Sequence, residues 1–188
     1  MEGRDSDTDE GVEGIRALYE AKVAAELALA DSRAPGSDVI AWSGDVLASV
    51  MLVKGLPGPA EATGGAALSG ADGAAADKAL EALGHGSARV FRMLSRPESG
   101  IDFAARAQRL RGALEAVDPG LAIALDAEAA EDLAAVLGLA RSRFGTAEHV
   151  MGRTFVAVDG LEASLADGVR KKRVWKQFQA ATAPGPVY

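Results

Sequence analysis

The sequence lacks cysteine altogether among its 188 residues. This absence excludes disulfide bonds, zinc sites with thiolate ligands, iron–sulfur clusters held by cysteine, and cysteine nucleophiles. With 48% hydrophobic and 25% charged residues, a chain of this length can still bury a hydrophobic core without cross-links. We therefore expect a single globular domain that needs no metal and no other cofactor.

Long apolar runs are also missing. The longest, residues 47–53, is much shorter than the roughly 20 residues that cross a bilayer. Residues 1–10 are acidic and polar, without the basic start and the apolar stretch of a secretory signal. These absences predict a cytoplasmic protein with no membrane partner.

The sequence has fewer basic than acidic residues. Lys and Arg number 20 against 27 Asp and Glu, which gives a net charge of −7. A general nucleic-acid binder needs Lys and Arg concentrated on one face to neutralise phosphates. The overall charge therefore argues against nonspecific nucleic-acid binding, although it does not exclude a local basic patch.

Four short apolar runs indicate strands. Continuous apolar runs that end at turn residues are typical of strands buried on both faces of a parallel sheet. The runs cover about residues 49–54, 88–93, 121–125 and 154–158. Helical patterns separate them and follow the last one, at about residues 72–84, 102–117, 127–140 and 167–181. This alternation predicts an α/β fold with a parallel sheet.

Before the first predicted strand, the sequence pattern predicts one helix. Residues 12–31 carry apolar side chains near helical spacing among strong helix formers. Residues 39–42 are predicted to be a short extended piece. Residues 1–10 are predicted to be a disordered acidic lead, so the domain is expected to span residues 11–183, with residues 184–188 as a tail.

A long glycine-rich segment, residues 55–73, directly follows the first core strand. In open α/β sheets ligands bind beyond the carboxyl ends of the strands, and glycines let backbone N–H groups approach a phosphate closely. The segment lacks the Gly-Lys-Ser/Thr ending of a P-loop and the compact spacing of a dinucleotide fingerprint. From its glycines alone, it is either a ligand-binding loop or a plain connection.

The order of features along the chain is similar to that of a known family. Residues 53–58 read Val-Lys-Gly-Leu-Pro-Gly, and an acid at Glu61 is followed by Gly65, Gly70, Gly73 and a helix. This order resembles the first motif of the iron–sulfur type of uracil-DNA glycosylase: a strand, Gly-Glu-Xaa-Pro-Gly, an acid, a glycine-containing turn and a helix. Further similarities lie at about residues 90–97, 110–126 and 162–175.

The resemblance covers about residues 49–180 and is stronger in order and spacing than in identity. It implies a three-layer α/β/α sandwich with a central four-stranded parallel sheet. It also implies a DNA-facing cleft at the carboxyl ends of the strands.

The residues that the family uses for catalysis are replaced. The water-activating acid falls on Gly55, the aromatic side chain that stacks on the flipped base falls on Leu68, and the base-reading Asn falls near Phe91. Glycine can neither orient a water molecule nor stabilise a developing oxocarbenium ion, and phenylalanine cannot pair with a base edge. The family's His-Pro-Ser segment falls on residues 160–162, which contain no histidine, and the cluster cysteines fall near Ala24, Leu27, Ser95 and Arg106.

These replacements lead to a first functional hypothesis: a glycosylase-like pseudoenzyme that has lost base excision and acts as a binding module. Its ligand is left open between DNA, a nucleobase-like small molecule and a protein. The candidate ligand contacts are Gly55, Pro57, Gly58, Glu61, Gly65, Leu68, Gly70 and Phe91. Two alternatives stay open. An active glycosylase would use Glu61, Asp159 or Glu162 in place of the missing acid, although an exposed carboxylate is more often simply solvated. A scaffolding protein would need no cleft at all.

A basic cluster lies on the last predicted helix. It consists of Arg170, Lys171, Lys172 and Arg173, and such a cluster can lie along a DNA backbone. The same residues also fit the polar face of an ordinary amphipathic helix.

Overall fold

The computed structural model describes residues 5–33, 40–97 and 102–182, with side chains described from residue 11 onward. Within these residues, six strands form one sheet in the order β1-β3-β2-β4-β6-β5. The strands are β1 (Ser43–Gly44), β2 (Val50–Lys54), β3 (Val90–Leu94), β4 (Leu121–Ala124), β5 (Ala147–Val150) and β6 (Arg153–Ala157). The central four, β3, β2, β4 and β6, are parallel, whereas β1 and β5 pair antiparallel at the two edges.

The four predicted parallel strands are confirmed, but a sheet of only four strands is not. Two edge strands escaped prediction because neither has an apolar run. β1 has two residues, and β5 reads Ala-Glu-His-Val. β5 is fixed instead by its hairpin with β6, whose turn at Met151 and Gly152 has positive φ at both residues, as a tight two-residue hairpin requires.

The helices follow the predicted alternation. They are α1 (Asp5–Ser32), α2 (Pro59–Ala62), α3 (Ala71–Leu80), α4 (Phe103–Val117), α5 (Ala127–Val136), α6 (Leu161–Ser164) and α7 (Gly168–Phe178). Asp102, Asp126 and Asp167 cap α4, α5 and α7, because their carboxylates accept backbone N–H groups of the first turn. α1 begins at Asp5, so residues 5–10 are helical rather than a disordered lead; the predicted tail, residues 184–188, lies outside the described residues.

The helices cover both faces of the sheet, so the chain has three layers. On β2, Met51 and Val53 pack on one face with α1, α4 and α5. Val50 and Leu52 pack on the other face with α3, α6 and α7. Successive side chains of a strand point to opposite faces, which explains why a continuous apolar run was the right signal for these strands.

The C-terminal half of α1 packs against the core of the protein. Val23 and Leu27 are buried in the core with α4. The buried Arg109 of α4 donates to Asp31 at the end of α1 (2.7 Å) and to the carbonyl oxygen of Leu94 in β3 (2.7 Å). In the part of the chain that the structure describes, no helix is both long and apolar enough to cross a membrane.

Candidate functional site

A cavity of about 290 Å³ lies at the carboxyl ends of β2, β4 and β6. Each strand contributes its last residue or the residues that follow it. The helices α3 and α7 contribute Asp72 and Arg170. The lining residues are Lys54, Asp72, Leu125, Asp126, Ala127, Glu128, Asp159, Gly160, Leu161, Glu162, Ala163 and Arg170. The position agrees with the general rule that open parallel sheets bind ligands beyond the carboxyl ends of their strands.

A buried lysine surrounded by carboxylates forms the floor of this cavity. The Lys54 ammonium lies 2.6 Å from Asp72 Oδ2, 3.0 Å from Glu162 Oε2 and 3.4 Å from Glu61 Oε2. The side chains of Lys54, Glu61 and Asp72 are 5%, 1% and 4% exposed, whereas that of Glu162 is 41% exposed. We call these four residues the Lys54 cluster.

The Lys54 cluster keeps its lysine charged. Burial alone would lower the pKa of Lys54, but hydrogen bonds to Asp72 and Glu162 and the charges of the acids outweigh it and raise that pKa above its ordinary value. A protonated ammonium held by carboxylates is neither a nucleophile nor a base. Its role is to neutralise acids that would otherwise be buried without a counter-charge.

Glu61 anchors the glycine-rich loop. Its Oε1 accepts the backbone N–H of Leu68 (2.8 Å), and its Oε2 accepts that of Gly58 (3.0 Å). These bonds explain why an acid three residues after Gly58 is buried rather than solvated. Glu61 does not line the cavity, and both of its oxygens are occupied.

Asp126 joins two of the strands that frame the cavity. It follows β4, its Oδ1 accepts the N–H of Ala129 (2.8 Å), and its Oδ2 accepts the N–H of Gly55 at the end of β2 (2.8 Å). Burial raises the pKa of Asp126 above its ordinary value, against the effect of these two hydrogen bonds.

Gly55 lies too close to α5 to carry a side chain. A Cβ atom there would be 2.4 Å from Glu128 Cβ and 2.7 Å from Asp126 Oδ1. Gly58 is similarly enclosed, since its Cβ would be 2.4 Å from Lys54 Nζ and 2.5 Å from Glu162 Oε1. The loop backbone therefore packs directly against the charged groups of the cavity.

The other candidate ligand contacts do not line the cavity. Leu68 is buried in the core on the face of α3, α6 and α7, whereas Phe91 is buried on the opposite face against Trp42. The sheet separates the two side chains, so they do not form one pocket. The cavity lining also lacks all five candidate glycines and prolines of the loop: Gly55, Pro57, Gly58, Gly65 and Gly70.

Asp159 and Glu162 do reach the cavity, but both are engaged. Asp159 lies 2.8 Å from Arg173 Nη2 and 3.4 Å from Arg170 Nη2. Glu162 belongs to the Lys54 cluster. By contrast, the side chain of Glu128 makes no hydrogen bond or ion pair with any residue that the structure describes.

The basic cluster of α7 is divided between two sites. Arg170 and Arg173 contact Asp159 beside the cavity. Lys171 and Lys172 line a separate groove between α3, α6 and α7. Two of the four cations are therefore paired with an acid, and the other two border the groove.

Sequence reasoning missed four of the cavity's charged residues: Lys54, Asp72, Asp126 and Glu128. Lys54 carried a usable signal, because a lysine that ends a fully buried apolar strand needs a buried partner. Asp126 also carried one, since it lies between a strand and a helix at the end of the sheet where ligands bind. Among the described residues, no group of three or more acidic or histidine side chains has the arrangement to hold a metal ion; the ammonium of Lys54 occupies the centre of the acids.

The cavity is strongly acidic. Its lining includes five carboxylates, on Asp72, Asp126, Glu128, Asp159 and Glu162, against two cationic groups, on Lys54 and Arg170. Carboxylates only accept hydrogen bonds when ionised, so the arrangement suits a small ligand that carries N–H donors or positive charge. No protein-family model and no curated protein sequence matches the chain.

Proposed function

We propose that this protein is a uracil-DNA glycosylase-like protein that has lost base excision and binds a small, N–H-rich ligand in the cavity. The observation that carries the proposal is the packing at Gly55, where the resemblance puts the family's water-activating acid. A Cβ atom at that position would overlap Glu128 and Asp126. The site thus lacks both the acid and the space for one.

The size and charge of the cavity support a nucleobase-like ligand rather than a nucleic-acid strand. About 290 Å³ is at the lower end of the range for ligand pockets, so a single heterocycle fits better than a nucleotide. Five carboxylates against two cations repel a phosphate group. Bases with an exocyclic amine, such as cytosine and adenine, can donate an N–H hydrogen bond to the carboxylate of Glu128.

A second candidate function, base excision by a substitute acid, is favoured by one observation. Asp126 lines the cavity, and burial raises the pKa of its carboxyl group, which is the direction of shift that a general acid needs. Glu61 is a weaker candidate because it does not line the cavity, and Asp159 and Glu162 are weaker because cations hold their carboxylates.

The loss of catalysis is tested with a fluorescent single-stranded oligonucleotide that contains one uracil. After incubation and alkali treatment, we expect no strand scission above a heat-killed control, whereas an active glycosylase run in parallel cuts the strand. Scission by the wild-type protein that disappears in Asp126→Asn would overturn the proposal in favour of the substitute acid.

Ligand binding is tested by calorimetric titration with cytosine, adenine, uracil and uridine monophosphate. We expect the amine-bearing bases to bind more tightly than uracil, and uridine monophosphate to bind most weakly. Glu128→Gln is expected to weaken cytosine binding about tenfold or more, because a charge-assisted hydrogen bond contributes about 1.5–3 kcal/mol. Glu115→Gln, an exposed acid on α4, is the matched control and is expected to have no effect. Preferential binding of the nucleotide would contradict the proposed ligand class.

A further inference from the structure

The N-terminal half of α1 exposes a row of large apolar side chains. Val12, Ile15, Leu18 and Tyr19 are 62%, 59%, 73% and 59% exposed. Val12, Ile15 and Tyr19 lie on the side of the helix that continues into Val23 and Leu27, which are buried against α4. Leu18 follows Ile15 by three residues and lies on the adjoining side. Apolar residues at this spacing along a helix normally face a core, so the row is a packing face that lacks its partner within the described chain.

This exposed segment also contains two glycines, Gly11 and Gly14, with no neighbouring atoms within 4 Å of the position a Cβ would take. Each glycine in a helix interior costs roughly 1 kcal/mol relative to alanine. A helix end with two glycines whose residues 11–19 are exposed is only marginally stable in water. Contact with another surface would stabilise it.

An apolar groove of about 590 Å³ lies on the opposite face of the protein, between α3, α6 and α7. Leu161, Val174 and Phe178 form its floor, and the half-exposed Trp175 lies at its side. Lys78, Lys171 and Lys172 are the charged residues that line it. None of these three lysines forms an ion pair with a described residue.

The exposed face of α1 and the groove are complementary in charge, and both are apolar at their centres. Glu13 lies beside the apolar row and forms no ion pair with a described residue, and the preceding residues 5–10 include four acids in the sequence. An amphipathic helix with an acidic border fits an apolar groove with a lysine rim, which is the usual helix-in-groove arrangement. The α1 helix of the same chain cannot fill the groove, because it packs on α4 at the other face of the sheet.

We propose that the groove binds residues 11–20 of α1 from a second copy of this chain. Two copies that exchange these segments form a closed dimer with two identical contacts, and closed dimers are the commonest oligomers. The proposal does not depend on the ligand cavity.

The mass of the full chain in solution is the first test. Sedimentation equilibrium over a range of concentrations is expected to show a species of twice the 19.2 kDa chain mass that dissociates on dilution. High salt is expected to weaken it, since part of the contact is between lysines and acids. A monomer at every concentration would overturn the proposal.

Paired variants identify the surfaces. Ile15→Asp with Leu18→Asp disrupts the α1 face, and Lys172→Glu with Trp175→Ala disrupts the groove. Each double variant alone is expected to weaken self-association more than about tenfold, a loss above 1.4 kcal/mol. Lys176→Glu, exposed on the same helix as the groove residues, is the control and keeps the dimer. Circular dichroism of each variant confirms that it is folded.

A mixture of the two double variants gives the decisive outcome. The groove variant retains an intact α1 and the α1 variant retains an intact groove, so the mixture is expected to form a heterodimer with one contact. Failure of the mixture to associate would contradict the proposal. A groove variant that still dimerises alone would instead show that α1 pairs with α1.

Discussion

Replacing Lys54 by methionine is expected to lower the free energy of unfolding by about 3–5 kcal/mol, because it leaves buried carboxylates without their counter-charge. Glu61 and Asp72 are 1% and 4% exposed at the side chain and lie 3.4 and 2.6 Å from the ammonium. Typical domains are stable by only 5–15 kcal/mol, so the loss is a large fraction of the total. Urea unfolding followed by circular dichroism measures it.

The pH dependence of this loss identifies its cause. Without the ammonium, the folded variant contains ionised carboxylates that are buried without a counter-charge, and protonation removes that cost. The folded variant therefore takes up protons more readily than the unfolded chain does, and its stability falls as pH rises. The gap between Lys54→Met and wild type is therefore expected to be wide at neutral pH and narrow at mildly acidic pH. In the wild type the raised pKa of Lys54 keeps its contribution intact until the pH exceeds the usual lysine range.

Two controls separate the charge effect from a simple loss of packing. Lys176→Met removes an exposed lysine of α7 and is expected to change stability by about 0.5 kcal/mol or less. Lys54→Met combined with Asp72→Asn is expected to recover part of the loss, since the two residues are in contact and their effects are not additive. A Lys54→Met variant as stable as Lys176→Met at neutral pH would contradict the interpretation.

The parts of the fold that rest on burial were predictable, and the parts that rest on pairing were not. β2 has five buried residues in a row, and β4 has four, which gives a continuous apolar signal in the sequence. β1 consists of Ser43 and Gly44 and exists only because it pairs with Phe91 and Arg92 of β3. No local pattern specifies such a strand.

The candidate site, too, was predictable only in part. The sequence indicated the carboxyl ends of the strands, and Asp159 and Glu162 line a cavity there. It did not indicate that Lys54 reaches Asp72, 18 residues further along the chain, because this contact depends on how α3 packs on the sheet. Leu68 and Phe91 were expected at one site but lie in separate cores. Phe91 is paired in register with Met51, and this pairing directs both side chains to the face of α1, α4 and α5.

Gly55→Ala is expected to destabilise the protein by about 1–3 kcal/mol, the usual cost of an extra methyl group in a closely packed region. The new Cβ would lie 2.4 Å from the Cβ of Glu128, which is attached to the backbone of α5 and cannot rotate away. Relief requires the end of β2 to move from α5, and this movement strains the hydrogen bond from Gly55 to Asp126. Thermal and urea unfolding measure the change.

Gly168→Ala is the matched control, because it adds the same methyl group where nothing lies within 4 Å. Gly168 is the first residue of α7, and alanine there is expected to stabilise the protein by about 0.4–1 kcal/mol through the unfolded state. Gly55→Glu extends the test to function: an acid that cannot enter the cavity restores no strand scission in the uracil assay. If Gly55→Ala behaves like Gly168→Ala and Gly55→Glu gains scission, the cavity does have room for an acid, and packing at this glycine is not what prevents base excision.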